Sequence, residues 1–403
     1  VPTSSIHHLT QLMPLDSLSA GAASALDRLI LADAASASDP DGATTGDVLV
    51  LDDPTGALAL WALAHTAPGK HRVISRQRSY ADALTLHRTL REKAPDAAAR
   101  LTLAGLDTQG QVIPDTFGLY HALAHHHFTG SLVLGYLPKS HAALADLAHD
   151  VARYQAEQGS ETTLILGGNT KHMSTSFNQT LARSFGQVRG LRGKGKHRCL
   201  LATAPAPASE APRPAGTLQA VGGVFSGGKP DRGGQLLATN VLTDLVKQAS
   251  TRSLTLVDLG CGNGSVTLEV LEHLPAGVEV ARVWATDLDV DAARSAALNL
   301  GQDARVQVSW DDAGSRLPQG SADIVMLNPP FHTGTTVDLS LVGPLLDASL
   351  RLLAPGGQLY LVHNSHARYR QQVEERFEQV RQLERTPTFT VLTARAPLTE
   401  ENQ

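Results

Sequence analysis

The stretch Val257–Gly264, Val-Asp-Leu-Gly-Cys-Gly-Asn-Gly, constrains this chain more than any other. An apolar lead-in, Leu254–Val257, reads as a buried strand, and the apolar-periodic segment Val266–Leu274 reads as a helix. Between them Gly260, Gly262 and Gly264 stand at alternate positions. Strand, glycine turn and helix in that order let an α/β protein bring its backbone against a nucleotide-like ligand. The glycines put no Cβ in the way and accept positive φ.

The rest of the chain fits that class and divides it. Strand-like segments (Asp47–Leu51, Arg72–Ser75, Arg100–Ala104, Gly130–Gly135, Thr162–Leu166, Cys199–Thr203) alternate with helix-like ones (Ala57–Ala64, Tyr80–Lys93, Ala142–Glu157, Ser174–Phe185). Such alternation predicts an α/β fold with a mostly parallel sheet covered by helices. A Pro- and Ala-rich segment without periodicity then reads as a linker, and it is followed by the glycine-dense stretch Gly222–Gly234 and a helix over Gln235–Gln248. The expected organisation is a domain over 1–203, a linker over 204–216 and a second domain over 217–403.

The second part repeats the first. Leu49–Gly56 precedes Leu256–Gly262 by about 205 residues, and Ala99–Leu103 precedes Ala304–Val308 at a similar offset. Thr162–Asn169 likewise parallels Gln358–Asn364. Two tandem Rossmann-like domains are therefore expected. In the first, Asp52-Asp53-Pro54-Thr55-Gly56 stands in place of the alternating glycines, and Pro54 has no N–H to offer a ligand. That copy is expected to be degenerate and to serve substrate docking.

Chemistry-bearing residues follow at successive strand ends of the second part. Asp258 either touches the ligand or only stabilises the turn. Asp287, followed by Leu288, ends the strand Val283–Asp287 about 25 residues after the glycine turn, where an acid can accept from both ribose hydroxyls of a nucleoside. In Val306–Asp312 either Asp311 or Asp312 can accept from an adenine amino group, with Trp310 near a ring face. The strand opening Ala322–Phe331 runs into Asn328-Pro329-Pro330-Phe331. An amide side-chain oxygen and a prolyl carbonyl can both accept from a planar NH₂ and fix it in line with an electrophilic methyl. Their hold tightens as positive charge develops on nitrogen. The prolines stiffen the turn without a competing N–H, and Phe331 can stack on a base.

The glycine turn, Asp287 and Asn-Pro-Pro-Phe, in that order, resemble class I methyltransferases that use S-adenosylmethionine. The tetrapeptide resembles the subset that methylates planar nitrogens. Gly223-Val224-Phe225-Ser226, Gly233-Gly234-Gln235 and Asn328–His332, with the degenerate first copy, are similar to bacterial ribosomal RNA guanine-N2 methyltransferases. The small-subunit type is the nearer in feel and the large-subunit type is similar. The resemblance implies a cofactor site of Asp258, Gly260, Cys261, Gly262, Asn263, Gly264, Asp287, Leu288, Asp311, Asp312 and Asn328. It implies a catalytic set of Asn328, Pro329, Pro330 and Phe331, and a partner that is ribosomal RNA or a ribosomal subunit. His332, His363 and Asn364 can border the same cleft. DNA adenine-N6 or protein glutamine methylation by the same tetrapeptide is the enzymatic alternative. An RNA-binding assembly protein is the non-enzymatic one.

A net charge of −5 excludes a chain that is basic throughout, so RNA contact is expected from a local patch. The densest basic run is Arg189–Arg198, with Arg189, Arg192, Lys194, Lys196 and Arg198 among interleaved glycines. It reads as a phosphate-tracking loop or as a solvated one. Two cysteines, Cys199 and Cys261, give no disulfide framework and fit a reducing compartment. Cys261 reads as a small turn residue rather than a nucleophile. His121, His125, His126 and His127 lack the spacing of metal ligands, and no metal is expected. No apolar run approaches the roughly 20 residues of a membrane span, and Val1–Pro14 lacks signal-peptide character. A cytoplasmic monomer is expected.

Overall fold

A computed structural model describes residues 23–37, 46–66, 69, 71–93, 95–109, 111–113, 116–208, 210–211, 213, 215–247, 253–330, 342–367 and 369–398. Phe331 and His332 lie outside the described residues. The chain divides into two compact units, Val1–Arg213 with Val221–Gly223, and Pro214–Ala220 with Val224–Gln403.

The first unit carries β1 (Val48–Leu51), β2 (Val73–Arg76), β3 (Leu101–Leu103), β4 (Leu132–Tyr136), β5 (Thr163–Asn169), β6 (Phe185–Gly190) and β7 (His197–Pro205). The second carries β8 (Leu254–Leu259), β9 (Val280–Asp287), β10 (Val306–Trp310), β11 (Ala322–Leu327), β12 (Leu353–Asn364), β13 (Glu378–Arg385) and β14 (Phe389–Arg395). The sheet orders are β3-β2-β1-β4-β5-β7-β6 and β10-β9-β8-β11-β12-β14-β13, the same winding twice. Five strands of each sheet are parallel, and the last two add antiparallel. The duplication expected from the repeated segments is thus present in the topology.

Burial explains the sequence pattern. Every residue of β1 is buried, as a central parallel strand covered on both faces requires. The helix Val290–Leu300 buries Val290, Ala293, Ala296 and Leu300, a helical spacing, and Asp289 caps it by accepting from the Asp291 N–H at 2.9 Å. The edge strand β13 is charged and largely exposed, which protects the sheet edge from foreign pairing.

Three segments depart from the sequence reading. The helix expected to reach Phe185 ends at Leu181, and Phe185 opens β6. The strand expected over Cys199–Thr203 extends from His197 to Pro205 and takes in the start of the linker. The basic run is therefore not a free loop. Its ends are strand, and it turns tightly where Lys194 and His197 exchange backbone hydrogen bonds of 2.9 and 3.2 Å around Gly195 at φ 60°.

Candidate active site

The carboxyl edge of the second sheet gathers the expected residues. In register, Leu259 of β8 faces Thr286 of β9 and Leu327 of β11, so Gly260, Asp287 and Asn328 leave their strands side by side. This is the switch point of strand order, between β8 and β11, where open α/β sheets hold ligands.

The glycine turn is built by β9. The N–H groups of Gly260 and Cys261 both donate to the Thr286 carbonyl, at 2.9 and 3.0 Å. Gly260, Gly262 and Gly264 have φ of 80°, 56° and 82°, which only glycine adopts without strain. A Cβ on Gly260 or Gly262 would meet nothing within 4 Å, so that side of the turn is open to a ligand, whereas one on Gly264 would strike Leu300 at 2.8 Å. An open, Cβ-free cradle fits S-adenosylmethionine, and so does the acid beside it. Asp287 accepts from the Gly262 N–H through Oδ2 and from the Asp289 N–H through Oδ1, both at 2.9 Å. Each oxygen keeps a further lone pair. Burial pushes its pKa up to about 6 against the pull of those two N–H donors.

Other members of the implied cofactor set have structural partners. Asp258 is buried, its carboxyl raised to about 6 by burial, and it accepts from the Thr267 hydroxyl at 2.7 Å, tying β8 to the following helix. Cys261 packs with Ala285, Ala296 and Leu300, and burial raises its thiol pKa, which suits the small-residue reading. Asn263 donates to the carbonyls of Gly227 and Lys229, both at 2.9 Å, and so lashes the segment before the helix Arg232–Lys247 to the turn. Asp311 is fully buried and accepts from Ser315 at 2.6 Å and Arg316 at 3.2 Å, while Asp312 is exposed. Leu288 is 41% exposed immediately after Asp287 and offers an apolar surface there. Trp310, expected near a ring face of the ligand, is instead fully buried, its indole N–H donating to the Leu288 carbonyl at 2.8 Å.

Asn328 is half-buried, Pro329 buried and Pro330 exposed. Asn328 Nδ2 donates to Asp231 Oδ2 at 3.0 Å, while its buried Oδ1 has no hydrogen-bond partner among the described residues. A buried acceptor left unpaired is costly and marks a place where a ligand completes the bonding. The sequence does not single out Asp231, which sits inside the glycine-dense stretch Gly222–Gly234. The available signal was an acid three residues before Gly234, the spacing of a helix cap. His363, two residues beyond Leu361, the partner of Leu327, is buried, its Nδ1 donating to the Asn364 carbonyl at 2.8 Å. Its Nε2 is unpaired among the described residues, and burial lowers its pKa.

The first unit shows the same positions filled. The registers place Asp52 where Gly260 stands, Gln77 where Asp287 stands and Tyr136 where Asn328 stands. Asp52, at φ 49°, pairs with Arg76 at 3.5 Å. Pro54 provides no N–H for an acid to accept, and Gln77 donates instead to the Asp53 carbonyl at 3.2 Å. Asp53 is buried over the start of the helix Ala57–His65, accepting from the Ala59 N–H at 2.9 Å. The Tyr136 hydroxyl is taken by Asp27 at 2.5 Å.

Arg189, Arg192, Lys194, Lys196 and Arg198 are all exposed on the β6–β7 hairpin, and none forms an ion pair with a described residue. The histidine cluster ends the helix Leu119–His125, where Arg72 donates to the His126 carbonyl at 2.8 Å and burial depresses the His126 pKa to about 4. Among the described residues no group of three or more His, Cys, Asp or Glu is arranged to hold a metal ion, and no helix is long and apolar enough to cross a membrane.

Comparison with known proteins agrees with both halves. Residues 215–393 match the methyltransferase small domain, and residues 13–206 match the RLMG N-terminal domain. The ribosomal RNA large subunit methyltransferase G of Shewanella amazonensis is 28% identical over 86% of this chain and 85% of its own length. The ribosomal RNA small subunit methyltransferase C of Pseudomonas paraeruginosa is 38% identical over 45% of this chain and 52% of its own. Among solved structures, the T. Thermophilus 16S rRNA N2 G1207 methyltransferase (RsmC), in complex with AdoMet and guanosine, has the same fold at TM-score 0.63 and 21% identity, covering 94% of this chain and 93% of that one. With a glycine cradle kept in one copy and closed by side chains in the other, the chain joins an RLMG N-terminal domain to a methyltransferase small domain, two class I methyltransferase folds of which the first is degenerate, and is similar along most of its length to ribosomal RNA methyltransferases.

Proposed function

We propose that the second domain methylates the exocyclic N2 amine of a guanine in ribosomal RNA, using S-adenosylmethionine. The unpaired Oδ1 of Asn328 beside the open glycine turn carries this reading. When bound, S-adenosylmethionine supplies a methyl group on an electron-poor sulfonium. Gly260 and Gly262 leave room for it, Asp287 accepts its ribose hydroxyls, and Leu288 lies against its adenine. Of the two aspartates after β10, we assign the adenine amine to Asp311, which hydrogen-bonds through its N–H to the Asp287 carbonyl at 2.9 Å and so moves with the ribose-binding strand. Asn328 Oδ1 and the Pro329 carbonyl accept from the guanine amine and hold its nitrogen toward the methyl. Positioning supplies most of the rate, because the weakly basic amine becomes acidic only as its new bond forms.

A sequence relative matched over 85% of its own length is a large-subunit enzyme, and the first half matches the RLMG N-terminal domain. These favour large-subunit RNA over the small-subunit RNA that the sequence motifs suggested. Incubation of the protein with each purified RNA and labelled S-adenosylmethionine checks this. Label in the large-subunit RNA is expected, and label confined to the small-subunit RNA would reverse the choice.

The β6–β7 hairpin supplies phosphate contacts. The triple variant R192A/K194A/K196A is expected to weaken RNA binding and to lower the slope of log affinity against log salt by about 2, near 0.7 per phosphate contact on single strands. An unchanged slope in a filter-binding titration would exclude the hairpin.

Asp287 also gives the cofactor site a pH dependence. Its charged form is the better acceptor, and it loses charge as pH falls through about 6. Affinity for S-adenosylmethionine is therefore expected to be level above pH 7 and to weaken below 6, by up to about tenfold per pH unit. Calorimetry between pH 5 and 8 reads this directly, and a flat profile contradicts it.

A further inference from the structure

We infer that Asp231 is a positioning residue of this reaction: its carboxylate fixes the Asn328 amide so that Oδ1, rather than Nδ2, faces the substrate amine. The inference rests on Asn328 being the amine's acceptor.

An asparagine amide is nearly symmetric in shape and opposite at its two ends in hydrogen bonding. With Nδ2 turned toward a guanine amine, donor would meet donor and the amine would be repelled. Something must hold the amide one way round. A carboxylate can do so, because it only accepts. Asp231 Oδ2 accepts from Asn328 Nδ2 at 3.0 Å, and the opposite orientation would set Oδ1 against it. The unpaired acceptor at the site is the direct result.

Asp231 is itself held rigidly. It caps the helix Arg232–Lys247: its carbonyl accepts from the Gln235 N–H at 2.9 Å, and the same Oδ2 accepts from the Gly234 N–H at 2.8 Å. Gly234 permits the approach, since a Cβ there would lie 2.9 Å from Val266 and 3.6 Å from Asn328 Nδ2. The negative charge of the carboxylate beside Nδ2 also polarises the amide toward Oδ1. That strengthens the acceptor as positive charge grows on the amine in the transition state.

The degenerate copy has the same contact without the free acceptor. There the start of the helix Ala25–Ala37 meets the residue at the end of β4, and Tyr136 is bonded to both Asp27 at 2.5 Å and Ser24 at 3.3 Å. Helix cap to strand end is thus a feature of the fold. Of the two copies, only the second leaves an acceptor without a partner among the described residues.

Two variants separate positioning from capping. In D231S the hydroxyl still caps the Gly234 N–H, as serine does well at this position, but is too short to reach Asn328. D231N keeps an oxygen acceptor at the right length. On full-length protein with ribosomal RNA, D231S is expected to lower kcat about tenfold, with KM for RNA and Kd for S-adenosylmethionine within about twofold of wild type and an unchanged melting temperature. D231N is expected to recover most of kcat. N328A is measured alongside. If N328A loses turnover and D231S does not, Asp231 has no positioning role although the Asn328 assignment stands. If D231S and D231N are equally impaired, or if cofactor binding falls together with kcat, the role is structural and the inference is overturned. If N328A keeps full turnover, the assignment of Asn328 itself fails.

Discussion

Replacing Asn328 by Ala is expected to lower kcat by about 10²–10³, the scale seen when one preorganised polar group is removed from around a developing charge. In the proposed reaction the Asn328 side chain supplies an acceptor whose bond to the amine strengthens as the C–N bond forms, so its loss is expected to fall on the transition state and to leave ground-state RNA binding nearly unchanged. Ala also leaves Asp231 Oδ2 with only the Gly234 N–H, a bond already made, so the helix cap survives. Single-turnover kinetics with saturating RNA and cofactor read the effect without interference from product release. A KM rise at constant kcat would show that Asn328 only helps to bind RNA.

Asp287→Ala is expected to weaken S-adenosylmethionine binding by about 100-fold or more, through loss of two hydrogen bonds to a charged acceptor. It also leaves the N–H groups of Gly262 and Asp289 without the carboxylate that orders them. The turn then loses its lock at the residue whose φ of 56° makes the cradle. Equilibrium binding of the cofactor is the measurement. Because folding raises this carboxyl to about 6 by burial, its neutral form is favoured in the fold relative to the unfolded chain. Its contribution to stability is thus fully present below the unfolded value and lost as pH rises through about 6, so the variant is expected to be no less stable than wild type at pH 7 on that account. Loss of cofactor binding with an intact melting transition separates ligand contact from misfolding.

What the sequence disclosed and what it hid follow from the range of the interactions. The turn at Gly260–Gly264 was legible because backbone conformation at positive φ restricts residue type locally. Asp287 and Asn328 were legible because each follows an apolar run that ends at the same sheet edge. The degeneracy of the first copy was legible at Pro54, since a missing N–H needs no structure to see. Most of β7 was legible as Cys199–Thr203, but β6 was hidden: Gln187 and Arg189 give no apolar alternation on an exposed edge, and the strand is specified by its partner. The structural bonds of Trp310 and Asn263 were hidden for a related reason. Both have side chains suited to ligand contact, and both use their N–H groups on distant carbonyls, of Leu288 and of Gly227 and Lys229. Asp231 was hidden by separation, its partner lying almost a hundred residues away, |i−j| = 97. Sequence shows the residues that a conformation demands, and it shows poorly the residues that hold others in place.

The central claim is that the second domain methylates guanine N2 in ribosomal RNA, with Asn328 receiving the amine. Its most direct test is mass mapping of nucleosides from ribosomal RNA treated with the protein and S-adenosylmethionine, beside RNA treated with N328A. The account predicts N2-methylguanosine at a discrete site with the wild type and its near absence with the variant. Methyl groups on adenine N6, on a ribosomal protein glutamine, or nowhere would contradict it.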